Sequence, residues 1–339
     1  MKLIKIPYVI AEVGMSHNGS ITLAHSYIDA ASKAGANAIK FQTHYADEES
    51  SKYDKFRKKN KFIKYKSRFE YWKNTEFSLD QWKDLKKHAD KKKIIFFSSP
   101  FSFKAVDVLR SVGNKIWKIA SGEVTNLPLI DKIASLKQRI IISTGMSNYK
   151  EIDDAIKIIK KYHNNYALAQ CTSLYPCPPE KLGINLIQTL KKKYRCSVGF
   201  SDHSGNSLTP IIARSMGADF VEMHIVFDKD FIGFDTSSSI TFKELSKISE
   251  SFKYLEKILT NDVNKQKIPQ EIKKNKYLFE KSIFSKNVIP KNYKITLDDL
   301  AFKKPSEGIK SKNYKKILGK KTNKKINAGK IIKMKDLKK

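Results

Sequence analysis

The sequence predicts an α/β protein, a (β/α)8 TIM barrel followed by a small β-rich domain. Three observations predict it. Eight short β-branched and aromatic runs recur between residues 8 and 224 with helical patterns between them, the order expected of repeated βα units. All eight runs end in polar side chains, as the strands of a catalytic barrel do where their C-terminal ends meet. The Gly-rich fingerprint of a dinucleotide-binding open sheet, which could use the same alternation, is missing.

The strands are read at 8–13 (YVIAEV), 38–43 (AIKFQT), 94–99 (IIFFSS), 116–121 (IWKIAS), 140–145 (IIISTG), 166–171 (YALAQC), 196–201 (CSVGFS) and 219–224 (DFVEMH). Helices are expected at 22–35, 103–113, 148–163 and 208–218, three of which close on or beside Gly35, Gly113 and Gly217, as helix C-termini often do. A last helix covers 242–259 and completes a barrel domain at 1–260. Residues 261–276 are polar, basic and without periodicity, which reads as a linker. From 277 to 339, short β-like runs alternate with Gly and Asn turns, which reads as a second, β-rich domain.

Size and composition agree with two domains. The chain has 339 residues, and a single core rarely grows past roughly 250 to 300. Hydrophobic residues make up 40% of it, which argues against overall disorder. Three cysteines, Cys171, Cys177 and Cys196, form no CxxC pair and sit in or near apolar segments, which suits free thiols in a reducing cytoplasm. The N-terminal residues reach Glu12 before any apolar stretch long enough for a signal peptide or a membrane span, so a soluble protein with no membrane partner is expected. The net charge of +32 invites a nucleic-acid reading. The lysines that produce it are spread along the whole chain, denser at 52–93, beside abundant Ile and Asn. That pattern fits a coding bias and a solvated basic surface, and no dedicated nucleic-acid partner is expected.

The strand ends carry the chemistry. Side chains alternate along a strand, so Lys40 with Gln42, Ser121 with Glu123, and Glu222 with His224 are each expected to project to one side. His203 and His224 stand at the ends of consecutive strands beside Glu222 and Asp202, and as a pair they suit a borderline divalent cation, whereas either taken singly reads as a structural histidine. Lys40, Lys118, Ser99 and Ser121 could hold a phosphorylated anion. The competing reading buries Lys118 against a barrel carboxylate such as Glu123 and leaves Ser99 as the residue before Pro100. Glu12, Glu123 and Glu222 are more carboxylates than a phosphate pocket needs; crowding raises the pKa of one or more of them toward acid/base use, and one could instead simply neutralise a lysine.

The segments IAEVGMSHNGS, AGANAIKFQT, FFSSPFS, KIASGEVTNLPLI, IISTGMS, CTSLYPCPPE, GFSDHSG and GADFVEMH follow one another as in the N-acetylneuraminate (sialic acid) synthase family. The tail resembles the antifreeze-like (SAF) domain of those enzymes, and the resemblance runs nearly end to end. It implies a transferase that condenses phosphoenolpyruvate with an N-acyl hexosamine and releases phosphate by C–O cleavage. It further implies a divalent metal, Mn2+ first with Mg2+ or Co2+ as alternatives, and a domain-swapped homodimer. By the resemblance, His203 and His224 match the metal ligands, and Lys40, Ser99, Lys118, Ser121 and Thr144 match the grip on phosphoenolpyruvate. Glu123 matches a carboxylate that handles the attacking water's proton, while Glu12, Tyr175, Ser201, Glu222 and Asp235 match positions that orient the sugar or order the site. Gln42 is counted with the substrate-binding set.

The departures fall on the sugar side. Ser173 and Ser16 stand where the family usually has Asn, Gly233-Phe234-Asp235 replaces GPD, and Lys304 in KKPSEGI replaces an arginine that reaches the acyl sugar across the dimer. A lysine cannot reproduce a planar bidentate fork. A modified hexosamine therefore competes with N-acetylmannosamine as the acceptor. Two other readings stay open on the residues alone: a metal-dependent pyruvate aldolase, and a non-catalytic barrel that binds carbohydrate or nucleic acid.

Overall fold

Eight parallel strands close on themselves in the order of the chain: β1 (Val9–Gly14), β2 (Ala38–Thr43), β3 (Ile95–Pro100), β4 (Ile116–Ile119), β5 (Arg139–Ser143), β6 (Tyr166–Cys171), β7 (Ser197–Asp202) and β8 (Val221–Val226). Pairing of β1 with β8 completes the ring, with Glu12 opposite His224. The structure, a computed structural model, describes residues 8–56 and 65–338. The expected barrel is therefore present, and each strand lies within two residues of its expected bounds.

Alternation along the strands sorts the side chains into two shells. Val13, Ile39, Phe41, Phe96, Trp117, Ile142, Leu168 and Met223 face outward and build the large core under the helices. Ile10, Ala38, Phe97, Ile116, Ile141, Ala167, Ala169 and Phe220 face inward and plug the barrel with a second apolar cluster. Further along seven of the eight strands the inward positions turn polar: Glu12, Lys40, Ser99, Lys118, Ser143, Ser201 and Glu222. The plug thus forms a dry floor for a charged layer at the C-terminal end of the strands, where barrel enzymes place their chemistry.

Gly199 makes room for the floor. A Cβ there would lie 2.4 Å from the ring of Phe220, which is fully buried. Gly199→Ala is expected to destabilise the barrel by about 1–3 kcal/mol through overpacking, seen as a lower melting temperature.

The helices begin where short polar side chains can satisfy free N–H groups. Ser20 accepts from the Leu23 N–H at the start of Ile21–Lys33, and Asn148 with Glu151 forms a capping box before Tyr149–Lys160. Thr241 and Glu244 do the same for Phe242–Leu259, and Ser78 and Gln81 for Leu79–Lys91. The helix Phe103–Val112 ends on Gly113 at φ 85°, a left-handed cap that glycine adopts without strain. The lysine-rich stretch 52–93 holds two helices, Arg68–Thr75 and Leu79–Lys91, whose buried Trp72, Trp82 and Leu85 explain the apolar residues among its charges. Part of that stretch, residues 57–64, lies outside the described residues.

The chain divides into two compact units, 1–260 and 261–339. The second contains an antiparallel pair, Ser282–Ser285 with Leu300–Lys303, and isolated bridges such as Phe284 to Ile331 and Ile289 to Ile326. Its core is small and rich in isoleucine: Ile283, Ile289, Ile295, Ile309, Ile317, Ile326 and Ile332. The expected linker needs a correction, because a helix, Gln270–Phe279, occupies its second half. That helix buries none of its own residues within the chain, so it lacks the apolar stripe by which sequence periodicity finds a helix. Among the described residues, no helix is long and apolar enough to cross a membrane.

Candidate active site

The mouth of the barrel opens into a cavity of about 450 Å³. Its walls include Glu12, Lys40, Gln42, Ser99, Lys118, Ser121, Glu123, Ser173, Tyr175, Ser201, Glu222, His203 and His224, which strands and loops around the whole ring contribute.

At the bottom the charges interlock. Lys118 Nζ donates to both oxygens of Glu222 at 2.8 and 2.9 Å. Lys40 Nζ lies 2.7 Å from Glu12 Oε2 and 3.5 Å from Glu222 Oε1, and donates to Ser99 Oγ at 3.3 Å. Gln42 Nε2 donates to Glu12 Oε1 at 2.9 Å, and Ser201 Oγ to Glu222 Oε1 at 3.4 Å. Both lysines are only 3% exposed, and the carboxylates replace the water that their ammonium groups have lost. Burial alone would raise the pKa of Glu222, but Lys118 and Lys40 outweigh it and hold the carboxyl at about 2. Burial would likewise lower Lys40, and Glu12 and Glu222 reverse this and raise it. The alternatives for Lys118 thus combine: it is ion-paired, with Glu222 and not Glu123, and it also faces the cavity.

Above this layer stand the two imidazoles. The rings of His203 and His224 are 5.4 Å apart between centroids, and Tyr175 stacks on His203 at 4.0 Å. His203 Nδ1 lies 3.0 Å from the Thr172 carbonyl, which can only accept, so the hydrogen sits on Nδ1 and Nε2 keeps a lone pair in the neutral ring. His224 Nδ1 is buried without a hydrogen-bond partner and lies 4.0 Å from Asp235 Oδ2. Burial lowers the pKa of His224 against the opposing pull of Asp235 and Glu12, which favours the neutral, ligating form. For His203 burial also lowers, but Cys171, the Thr172 carbonyl and Glu222 prevail and raise it. Among the described residues, no group of three or more His, Cys, Asp or Glu is arranged to hold a metal. His203 and His224 could therefore offer a cation two imidazole ligands. Asp202 stays apart from this pair, since its carboxylate accepts from the Ser204 N–H and hydroxyl.

Glu123 lines the cavity from the turn Ser121–Glu123 that follows β4. Strand alternation was therefore the wrong reason to expect Ser121 and Glu123 on one side, although both line the cavity. Burial raises the pKa of Glu123; a hydrogen bond from Asn126 opposes this and the nearby Glu49 adds to it. Ser121 Oγ accepts from the Gly145 N–H at 3.2 Å.

Two expected residues of the first unit lie off the cavity wall. Thr144 is buried just behind it, with its hydroxyl 3.2 Å from the Ala169 carbonyl and 3.3 Å from Gln170 Oε1. Asp235 lines a second chamber of about 250 Å³. Lys304 belongs to the second unit, where its ammonium lies 4.7 Å from the centre of the Phe279 ring.

Sequence reasoning missed one side of the site. His44 is sandwiched between Trp72 at 3.9 Å and Phe101 at 4.2 Å, and its ring nitrogens meet Glu49 Oε1 at 2.5 Å and Gln42 Oε1 at 3.2 Å. Arg68 pairs with Asp54 at 3.3 Å and lies over Trp72. The two-residue period of β2 continued past Gln42 would have suggested His44. Arg68, Asp54 and Trp72 come from the long connection after β2, where no strand period places them.

Residues 27–264 match the model of the NeuB family, and residues 280–338 that of the SAF domain. The chain is 34% identical to an N,N'-diacetyllegionaminic acid synthase of Campylobacter jejuni, over 92% of this chain and 94% of that one. It is 32% identical to an N-acetylneuraminate-9-phosphate synthase of Mus musculus, over 87% and 82% of the two chains. A solved structure, the N-acetylneuraminic acid (sialic acid) synthetase of Leptospira borgpetersenii in complex with citrate, superposes with a TM-score of 0.70 at 32% identity, covering 80% of this chain and 90% of that one.

Proposed function

The chain belongs to the NeuB family and ends in an SAF domain, and from that premise we propose a nonulosonic acid synthase that condenses phosphoenolpyruvate with an N-acyl hexosamine to a nine-carbon 2-keto acid, releasing phosphate. One observation carries the reading: two buried lysines sharing one glutamate lie below a pair of imidazoles at the mouth of a closed barrel.

Lys40, Lys118, Ser99 and Ser121 take the phosphate and carboxylate of phosphoenolpyruvate, with Thr144 supporting the wall behind. Glu12 and Glu222 hold the ammonium groups in place. His203 and His224 would hold a divalent cation, Mn2+ by family resemblance, which when bound supplies Lewis-acid polarisation of the acceptor's aldehyde. Tyr175, Gln42, Ser173, Ser201 and Asp235 orient the acceptor. C3 of the enol ester then adds to the aldehyde carbon, water attacks C2 with Glu123 accepting its proton, and phosphate departs as the C–O bond breaks. The reading includes a cytoplasmic homodimer, and Lys304 is assigned to the acyl group of the sugar.

Purified protein, phosphoenolpyruvate, Mn2+ and N-acyl hexosamines should yield inorganic phosphate and a nine-carbon keto acid by mass analysis. Product formed from pyruvate without phosphate release would indicate an aldolase instead, and no product from any acceptor would leave only a binding protein.

A base at Glu123 works in its ionised form, so its raised pKa sets the acid limb of the rate profile. Glu49→Gln removes a negative neighbour that contributes to that rise. The acid limb is expected to move to lower pH in this variant, and a limb that stays put would remove Glu123 from the assignment.

A further inference from the structure

His44 and Glu49 line the cavity, yet the proposed chemistry gives them no step. Their side chains are buried, 4% and 8% exposed. Trp72 and Phe101 cover the two faces of the His44 ring at 7° and 18°, so the ring can bond only through its edges. At one edge Nδ1 lies 2.5 Å from Glu49 Oε1, and at the other Nε2 lies 3.2 Å from Gln42 Oε1. The next link decides where the hydrogens sit. Gln42 Nε2 donates to Glu12 Oε1 at 2.9 Å, and Glu12, ion-paired with Lys40, can only accept. Gln42 must therefore turn its oxygen to His44, and His44 Nε2 must carry a hydrogen to meet it. Glu49 Oε2 is buried without a hydrogen-bond partner, so a second proton, between Nδ1 and Glu49 Oε1, offsets that carboxylate.

The orientation of the amide matters at the cation site. A Cβ on Gly14 would lie 3.6 Å from Gln42 Nε2 and 3.4 Å from the His224 ring, so the amide nitrogen and that imidazole flank the same glycine. Gln42 also borders the second chamber, whose aromatic wall includes Phe56 and Phe234, stacked 5.1 Å apart. Of the two hydrogens on the amide nitrogen, Glu12 takes one and the other can serve an oxygen of the acceptor. Flipped, the amide would set its own oxygen against the Glu12 carboxylate. We propose that His44, anchored by Glu49, is a positioning residue: its Nε2–H locks the Gln42 amide with the nitrogen toward Glu12 and the bound sugar. The inference rests on the synthase reading and adds to it the device that orients the acceptor.

His44→Phe keeps a ring between Trp72 and Phe101 and removes the donor. With Mn2+ and an N-acyl hexosamine that turns over, this variant is expected to raise the acceptor KM by about tenfold, the scale of one hydrogen bond in a charged chain, with KM for phosphoenolpyruvate nearly unchanged. In a Gln42→Met background the same substitution should add little, because His44 acts through that amide. His44→Gln, whose amide nitrogen falls near the place of Nε2, is expected to recover most of the loss. A residue that served packing alone would leave the acceptor KM where it was. That result, full additivity with Gln42→Met, or equal losses toward both substrates overturns the proposal. If no acceptor releases phosphate, the synthase reading has failed on its own account, and 15N NMR of the wild type in Mg2+ decides the lock. The His44 signals, identified by their absence from His44→Gln, are expected to show a hydrogen on Nε2, and a bare Nε2 overturns it.

Discussion

Replacing His224 with alanine is expected to stop turnover while leaving the barrel folded. The ring is buried at the mouth of the cavity, 5.4 Å from His203 between centroids, and its Nδ1 has no hydrogen-bond partner. Its loss removes one of two imidazoles that would fix a cation at the aldehyde. Lewis-acid polarisation contributes several kcal/mol to a transition state, and about 4 kcal/mol corresponds to a thousandfold in rate. Phosphate release should therefore fall by about a thousandfold or more, with the circular dichroism spectrum retained. Titration with Mn2+ followed by electron paramagnetic resonance should show weakened binding in the variant. Activity within tenfold of wild type, or unchanged Mn2+ binding, would take His224 out of the cation site.

The second large effect concerns stability. Glu222→Gln leaves Lys118 buried without its carboxylate and strips Lys40 of one of its two. Breaking a buried ion pair from one side costs about 3–5 kcal/mol, because the remaining charge has neither water nor a partner. The variant should melt well below wild type. Combining it with Lys118→Met removes the orphaned charge and is expected to recover most of the loss, while Lys40 keeps Glu12 at 2.7 Å. The double variant should nevertheless lack activity, since Lys118 is assigned to the phosphoenolpyruvate grip. If the double variant is no more stable than the single, the ion pair is not what the site depends on.

The pH dependence follows from the same pair. Glu222 has a folded-state pKa of about 2 against an ordinary value of 4.5. Its contribution to stability is therefore complete above the ordinary value and disappears as pH falls toward 2. Acid unfolding of the wild type should steepen across that window, and Glu222→Gln should flatten it.

The strands were legible because each pairs a β-branched or aromatic run with a polar end, and this two-residue pattern is local. From it followed the barrel, the inward layer of Glu12, Lys40, Lys118 and Glu222, and the positions of His203 and His224 at neighbouring strand ends. Helix caps such as Gly113 were legible for the same reason, since a left-handed backbone leaves a mark in the residue itself.

Partnership was not legible. Nothing in IWKIAS says that Lys118 reaches across the barrel to Glu222, 104 residues later, and not to Glu123 nearby. Closure of the ring brings those positions together, and the shear between strands sets which inward layer they share. The His44 sandwich and the aromatic chamber have the same origin, because Trp72, Phe101, Phe56 and Phe234 come from separate connections that meet only after folding. The sequence by itself determined which side chains of the strands point into the mouth, through the period of a strand. The tertiary structure alone decided which charges neutralise one another and which walls are aromatic, because both depend on distances between segments that the chain does not place side by side.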